Sequence, residues 1–230
     1  MKRAFWTILG AISFALFLCS ICNRGPSVQT SSYQENQSDS EFVSVDITYE
    51  EQLGSDVVGK VRKAIEMFPA DAIQSFSEQG WKIAVLSEID SEENPDNGMV
   101  TTVGLTNYDT KTIQVSPASS NFVVDDSEDL LTIRMVHEFS HFADVFCGNV
   151  TDSDKWKKLY AKYKDEYVEF EFYGIDKNME NQFDINYATS NRYEFFACSM
   201  KDFYCHQDHL REHYPDLYVY FVNLVSQSSL

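Results

Sequence analysis

The stretch "RMVHEFSHFADVF" at 134–146 places two of the chain's five histidines four positions apart in an otherwise apolar run. At 3.6 residues per turn, positions i and i+4 lie on one face of a helix, so the imidazoles of His137 and His141 can reach one metal ion. Glu138 stands beside the first histidine. Because a His-Glu-x-x-His pattern also arises by coincidence, the rest of the chain must supply a helix, a third ligand and a catalytic context.

The residues around this stretch predict that it is helical. Acidic residues at 126–129 are typical of a helix start, apolar positions continue from Leu130 to Phe146, and Gly148 is a suitable stop. Helical spacing also predicts helices near 57–68, 70–79, 152–168, 191–205 and 207–225.

Strand-like runs lie upstream of the histidine pair. They occupy 81–87, 100–105 and 110–115, and the last two predict a hairpin. We therefore predict the α+β class, with a small mixed sheet packed on the helix that carries the histidines and a mostly helical C-terminal half.

The N-terminal region indicates export. Residues 1–22 combine a basic start with an apolar run, which predicts a signal peptide or N-terminal anchor; cleavage, retention as an anchor and lipidation all stay open. Residues 23–40 are rich in Ser, Gln and Asn and predict a disordered linker, so the folded domain should span 41–230. We expect a secreted or extracellular protein, tethered to the cell surface if the leader is retained or lipidated.

The formal net charge of −18 bounds the partners. A field of this sign repels nucleic acid and anionic lipid headgroups, so we expect membrane contact only through the N-terminal anchor or a lipid. A polypeptide substrate and a monomeric chain are the remaining expectations.

Three cysteines follow the leader: Cys147, Cys198 and Cys205. An odd number argues against a disulfide framework. A single bridge from Cys147 to one of the others and three free thiols are both compatible with the sequence.

A zinc site built on two helix histidines needs a third protein ligand. Asp144 follows His141 by one turn, which better suits a hydrogen-bond acceptor that orients a ligand histidine. The group His206, His209 and His213 shares a helix face but has no catalytic carboxylate in register, and a solvated histidine face explains it.

Glu194 is the best third ligand that the chain offers. The pattern Asn191-x-x-Glu194 is also an ordinary helix-capping pattern, which gives the glutamate a purely structural alternative. Apolar residues after Glu194 would pack its helix on the core and hold the carboxylate inward. Neutral imidazole nitrogens with one carboxylate suit Zn²⁺ better than they suit the all-oxygen cations, so we expect one zinc per chain.

These motifs carry a resemblance to a known family. The segments "HEFSHFAD" at 137–144, Tyr187 and "NRYEFFA" at 191–197 resemble the anthrax-lethal-factor-like metallopeptidases, which include the secreted bacterial Pro-Pro endopeptidases. The resemblance covers about 100–208, and Tyr-x6-Glu-Phe-Phe-Ala is its more specific part. Ser140 replaces the usual glycine, and Cys198 stands where an acidic residue is common, which leaves open whether a contact is lost.

The resemblance implies a zincin-like endopeptidase. In such an enzyme, Glu194 would be the third zinc ligand beside His137 and His141, and a water molecule would be the fourth. Tyr187 would assist catalysis at the oxyanion. Glu138 would take the proton of the water as general base. An extended substrate would lie against an edge strand within 100–115. The alternative is a catalytically silent binding or adhesion module, although such a module needs no carboxylate at Glu138.

Overall fold

A computed structural model describes residues 28–30, 44–89, 93–94, 98–99, 102–117, 129–173 and 187–227. The predicted leader at 1–22 lies outside these residues. The helices of this part of the chain are α1 (Asp56–Ile65), α2 (Ala70–Glu78), α3 (Leu130–Phe146), α4 (Asp154–Tyr163), α5 (Arg192–Cys205), α6 (Gln207–His213) and α7 (Pro215–Gln227).

A mixed sheet lies upstream of α3. The strands are β1 (Val28–Thr30), β2 (Asp46–Glu50), β3 (Lys82–Val85), β4 (Glu93–Asn94), β5 (Gly98–Met99), β6 (Gly104–Asn107) and β7 (Thr112–Val115). Five of them form one sheet in the order β1-β2-β3-β7-β6, in which β2, β3 and β7 are parallel and the outer two are antiparallel to their neighbours. The predicted α+β class is confirmed.

The core begins at the centre of this sheet. Ile47, Ile83 and Ile113 are direct neighbours across β2, β3 and β7, and all three are buried. Because side chains alternate along a strand, this row faces one side only, and there it meets the helical layer. Phe139 of α3 and Phe76 of α2 pack in this layer with ring centroids 5.1 Å apart.

A second apolar centre holds the C-terminal half together. Trp156 of α4 is fully buried against Phe195, Phe196 and Phe221, and its indole Nε1 donates a hydrogen bond to the backbone oxygen of Arg192 at 3.0 Å. Trp156 is therefore part of the core. It fixes α5, the helix that carries Glu194, against α4 and α7.

Several element boundaries differ from the predictions. β1 lies inside the predicted linker 23–40, and the first hairpin strand is 104–107 instead of 100–105. The helix predicted at 207–225 is interrupted at Tyr214, which has φ −132° and ψ 58°. The reason is Pro215, which disfavours a helical conformation in the residue before it and favours the first position of a new helix.

Among the described residues, no helix combines the length and the apolar character that crossing a bilayer requires. Cys147, Cys198 and Cys205 form no disulfide bond in the described part of the chain, and Cys198 is buried. The structure therefore corresponds to the alternative without a bridge between them.

Candidate metal centre

The predicted histidine pair lies on one face of α3. The rings of His137 and His141 have centroids 5.0 Å apart and an interplanar angle of 82°. Their side chains are 13% and 14% exposed, so both rings line a site that solvent can reach. The i, i+4 spacing therefore produces the juxtaposition that the sequence predicted.

Glu194 joins the pair from the first turn of α5. The side-chain oxygen of Asn191 accepts hydrogen bonds from the backbone N–H groups of Tyr193 and Glu194, so Asn191 caps the helix. The Glu194 carboxylate points elsewhere: its Oε2 lies 3.4 Å from Nε2 of His137 and 3.5 Å from Nε2 of His141. The capping pattern and the ligand position therefore coexist, because different side chains provide them.

The distances from Glu194 Oε2 to the two imidazole nitrogens fit zinc. Ligand atoms at about 2.0–2.2 Å from a tetrahedral zinc lie about 3.3–3.6 Å from one another. The two measured distances fall in this interval, and Glu194 Oε2 is buried without a hydrogen-bond partner among the described residues. A buried carboxylate oxygen facing two imidazole nitrogens is a donor set that a metal ion satisfies.

Electrostatics at these residues point the same way. Burial raises the pKa of Glu194, but the two imidazoles beside its Oε2 outweigh this effect, and the pKa is lowered. Burial lowers the pKa of His141, but the nearby carboxylates of Glu194 and Glu138 raise it overall. The site therefore favours a positive charge beside the carboxylate, and a metal ion can supply that charge.

Glu138, the proposed general base, has its carboxylate against the sheet. The hydroxyl of Thr106 donates hydrogen bonds to Glu138 Oε2 at 2.7 Å and to the Glu138 backbone oxygen at 3.0 Å. A Cβ at Gly104 would lie 2.3 Å from Glu138 Oε1, so the carboxylate packs directly over this glycine. Both contacts are with β6, the edge strand of the sheet.

Two tyrosines border the site. Tyr187 is 43% exposed, with its ring centroid 6.3 Å from that of His137. Burial of its hydroxyl and the charge of Glu194 raise the Tyr187 pKa far above its usual range, so the group stays a proton donor. Tyr108, in the turn after β6, donates a hydrogen bond to the backbone oxygen of His141 at 3.1 Å.

Asp144 has a different environment from the predicted one. Its two oxygens accept hydrogen bonds from the backbone N–H of Thr151 at 2.9 Å and from the Thr151 hydroxyl at 2.7 Å. Within the described part of the chain, its hydrogen bonds thus go to the turn after α3 and not to a histidine. It acts on His141 through charge, as one of the groups that raise the pKa of that imidazole. Its role as an acceptor that orients a ligand histidine stays a prediction.

Cys198 contacts His137, one of the candidate metal ligands. Its sulfur lies 3.6 Å from Nδ1 of His137. Burial and the charge of Glu169 raise the pKa of the thiol well above its usual range. Lys201 Nζ lies 2.6 Å from Glu169 Oε2 and 2.7 Å from both oxygens of Glu171, and none of the three side chains is more than 7% exposed.

The sequence predicted a solvated helix face for His206, His209 and His213. In the structure these histidines pack against aromatic rings. His206 stacks on Phe170 with centroids 4.0 Å apart, and His213 Nδ1 lies 3.3 Å from the Tyr173 hydroxyl. His206 also lies in a second group of possible ligands with Glu171 and Asp202. Lys201 already supplies the positive charge of that cluster, so we do not interpret it as a metal site.

Sequence reasoning missed five residues that touch the site: Gly104, Thr106, Tyr108, Glu169 and Lys201. A glycine inside a strand-like run is a signal for a close approach, and it could have indicated Gly104. The other four are ordinary strand, turn, loop and helix residues, and no local pattern distinguishes them.

Comparisons with known proteins agree with this geometry. A sequence model of the family described as glucose-regulated metallo-peptidase M90 matches residues 111–224, a little under half of the chain, and this span includes α3 and α5. The fold is similar to that of the Pro-Pro endopeptidase PPEP-2 from Paenibacillus alvei, with a TM-score of 0.50 and 15% identity over 78% of this chain and 95% of that chain. No curated protein matches the chain. The family match supports a metallopeptidase, and the structural likeness shows the shared fold.

Proposed function

We propose that the chain is an exported zinc-dependent endopeptidase that hydrolyses peptide bonds of an extended polypeptide. The observation that carries the proposal is the convergence of His137, His141 and Glu194 at zinc-ligand spacing, with Glu138 beside them and held by Thr106. The family match and the shared fold add support for peptidase chemistry.

The residues of the site divide the chemistry among them. His137, His141 and Glu194 would hold a zinc ion, which would supply Lewis-acid chemistry for activating water and polarising the scissile carbonyl. Glu138 takes the proton of the attacking water and passes it to the leaving amine, and Thr106 keeps one oxygen of that carboxylate in place. The Tyr187 hydroxyl, whose ring lies beside that of His137, donates a hydrogen bond to the developing oxyanion.

The substrate would add to the sheet as one more strand. β6 pairs with β7 on one side only, so its other edge offers unpaired backbone groups among the described strands. Because Glu138 packs over Gly104 and Thr106 of this strand, a peptide lying along β6 would pass close to the general base. Backbone pairing of this kind needs little sequence specificity.

A digest of a proteome-derived peptide library tests this function directly. We expect the protein purified without chelator to hold about one zinc per chain and to cut a set of peptides detectable by mass spectrometry. Removing the metal with a chelator should abolish cleavage, and adding zinc back should restore it. If a zinc-loaded chain cuts no peptide, a binding or adhesion module becomes the better explanation.

Gly104→Ala tests the position of the base. The new methyl group would collide with Glu138 Oε1, and the flexible carboxylate would move before the strand does. Because a displacement of about 1 Å in a catalytic group can lower the rate about 10²-fold, we expect a fall in kcat of that order and little change in the free energy of unfolding. Steady-state kinetics and urea denaturation measure the two quantities.

Gly59→Ala is the matched control for this substitution. Gly59 is exposed in α1, and a Cβ there meets no atom within 4 Å. It should leave kcat unchanged and raise helix stability slightly. Full activity in Gly104→Ala would mean that Glu138 is not the base or does not work from this position.

Export is the remaining part of the proposal. It rests on the leader-like residues 1–22, which lie outside the described residues. Cell fractionation with N-terminal sequencing would distinguish a cleaved, an anchored and a lipidated chain, and a purely intracellular chain with an intact leader would contradict export.

A further inference from the structure

A histidine that binds zinc through one ring nitrogen needs a partner for the other. In most sites the second nitrogen donates to a carboxylate, a backbone carbonyl or a water, which fixes the tautomer and the ring orientation. If zinc binds His137 as proposed above, Nε2 faces the metal, because it is the atom next to Glu194 Oε2. Nδ1 must then carry the proton, and its neighbour is the sulfur of Cys198 at 3.6 Å.

The thiol can pass this interaction on. A cysteine has one S–H donor and a sulfur that accepts weakly, so it can accept from one group and donate to another. Cys198 lies one turn after Glu194 on α5, its sulfur contacts His137, and the charge of Glu169 acts on its thiol. When Nδ1–H of His137 donates to the sulfur, the S–H is left to donate to the Glu169 carboxylate.

Glu169 is held firmly enough to act as the end of this chain. Its side chain is 7% exposed, and its Oε2 accepts a hydrogen bond from Lys201 Nζ at 2.6 Å. Lys201 is in turn held by both oxygens of Glu171. Charge-assisted hydrogen bonds of this kind are short and directional, so the carboxylate has a defined position in the core.

We propose that Glu169 is a positioning residue for the metal centre, and that it orients His137 through the thiol of Cys198. The acidic residue expected at position 198 is thus replaced by two residues, a thiol in the helix and a carboxylate from the loop after α4. This inference rests on the proposed zinc site. It adds a loop residue to the determinants of metal affinity, although that residue touches neither metal nor substrate.

Zinc affinity, measured by competition with a chromophoric chelator and without any peptide substrate, tests the proposal. Removing a residue that orients a metal ligand typically weakens metal binding 10–100-fold. We expect Glu169→Gln and Cys198→Ala to weaken zinc binding by about tenfold or more. Cys198→Ser should keep most of the affinity, because a hydroxyl can also accept from Nδ1 and donate to Glu169.

Glu171→Gln is the matched control. The Glu171 side chain is buried and pairs with Lys201 as that of Glu169 does, but of the two carboxylates Glu169 is the one whose charge acts on the Cys198 thiol. Both glutamine variants should lower the melting temperature, whereas only Glu169→Gln should weaken zinc binding and shift the NMR resonance of the His137 Nδ1 proton. Equal zinc affinities of the two variants would reduce Glu169 to a structural role and overturn the inference.

The Cys198 pair keeps the test decisive if Glu169→Gln fails to fold, as judged by circular dichroism. Zinc binding by Cys198→Ala that equals that of the wild type would refute the relay. A wild-type chain that binds no zinc would instead contradict the proposed metal site itself. A wild-type chain that binds zinc but cuts no peptide would contradict only the proposed function, because the affinity comparison needs no catalysis.

Discussion

Glu138→Gln should keep zinc and fold and yet lose nearly all peptidase activity. The amide can still accept the hydrogen bond from Thr106, so the side chain should stay over Gly104. It cannot take up a proton, however, and general base catalysis contributes about 10²–10⁴-fold to a rate. We therefore expect kcat to fall by about 10²–10⁴-fold with about one zinc per chain retained.

Two comparisons make this result specific. Glu78→Gln changes an exposed glutamate of α2 and should leave kcat unchanged. Glu194→Ala should instead reduce zinc content, because it removes a ligand. If Glu138→Gln kept full activity on a peptide found in the library digest, Glu138 would not be the base.

The same assay examines Tyr187. Loss of an oxyanion donor lowers kcat about 10²-fold or more, so Tyr187→Phe should have an effect of this size with zinc content unchanged. An unchanged kcat would mean that the Tyr187 hydroxyl does not stabilise the oxyanion.

Lys201→Met should produce the largest loss of stability. The ammonium group is buried at 2.6 Å from Glu169 and 2.7 Å from Glu171, with Asp202 Oδ1 at 3.7 Å. Removing one partner of a buried ion pair leaves uncompensated charge and destabilises a protein by about 3–5 kcal/mol. We expect a loss of this size in the free energy of unfolding, measured by urea denaturation at neutral pH.

The effect of Lys201→Met should depend on pH. In the wild type, burial raises the pKa of Glu171, but the charge of Lys201 outweighs it and the pKa is lowered, so this glutamate stabilises the fold at neutral pH and loses that contribution in acid. In the variant the buried carboxyl groups have lost their cation, so their pKa should be raised and protonation should favour the folded state. The difference between variant and wild type should therefore shrink as the pH falls.

An exposed lysine provides the control for this experiment. Lys162 pairs with Asp216 on the surface, where more than half of each side chain is in contact with solvent. Because exposed ion pairs are screened by water, Lys162→Met should leave the free energy of unfolding nearly unchanged. A Lys201→Met variant as stable as the wild type would mean that the carboxyl groups around position 201 are already neutral.

The sequence by itself determined what depends on neighbours along the chain. The spacing of His137 and His141 follows from the helical period alone, and so does the apolar stripe of α4. The proposed third metal ligand, Glu194, could also be predicted from the sequence. It lies in the first turn of a helix whose cap and apolar residues are local features. For the same reason, the α+β class and most helices were predictable.

Only the tertiary structure decided which residues from distant parts of the chain meet. The strand order makes β6 an edge strand of the sheet. The packing of this strand on α3 brings Gly104 and Thr106 against Glu138, although Thr106 and Glu138 are 32 positions apart in sequence. The contact of Cys198 with His137 spans 61 positions. No local pattern encodes such contacts, because they depend on how strands and helices pack together and not on the period of any one of them.

The same reason explains where the structure differs from the expectations. A solvated helix face was expected for His206, His209 and His213, but the 170–173 segment packs on them. Both oxygens of Asp144 accept hydrogen bonds from Thr151, which no local pattern indicates, and its role beside a candidate ligand histidine stays a prediction. In both cases the sequence correctly placed the side chains on one face of a helix. The group that packs against that face comes from a distant part of the chain, so the environment of these side chains is decided only when the helices pack.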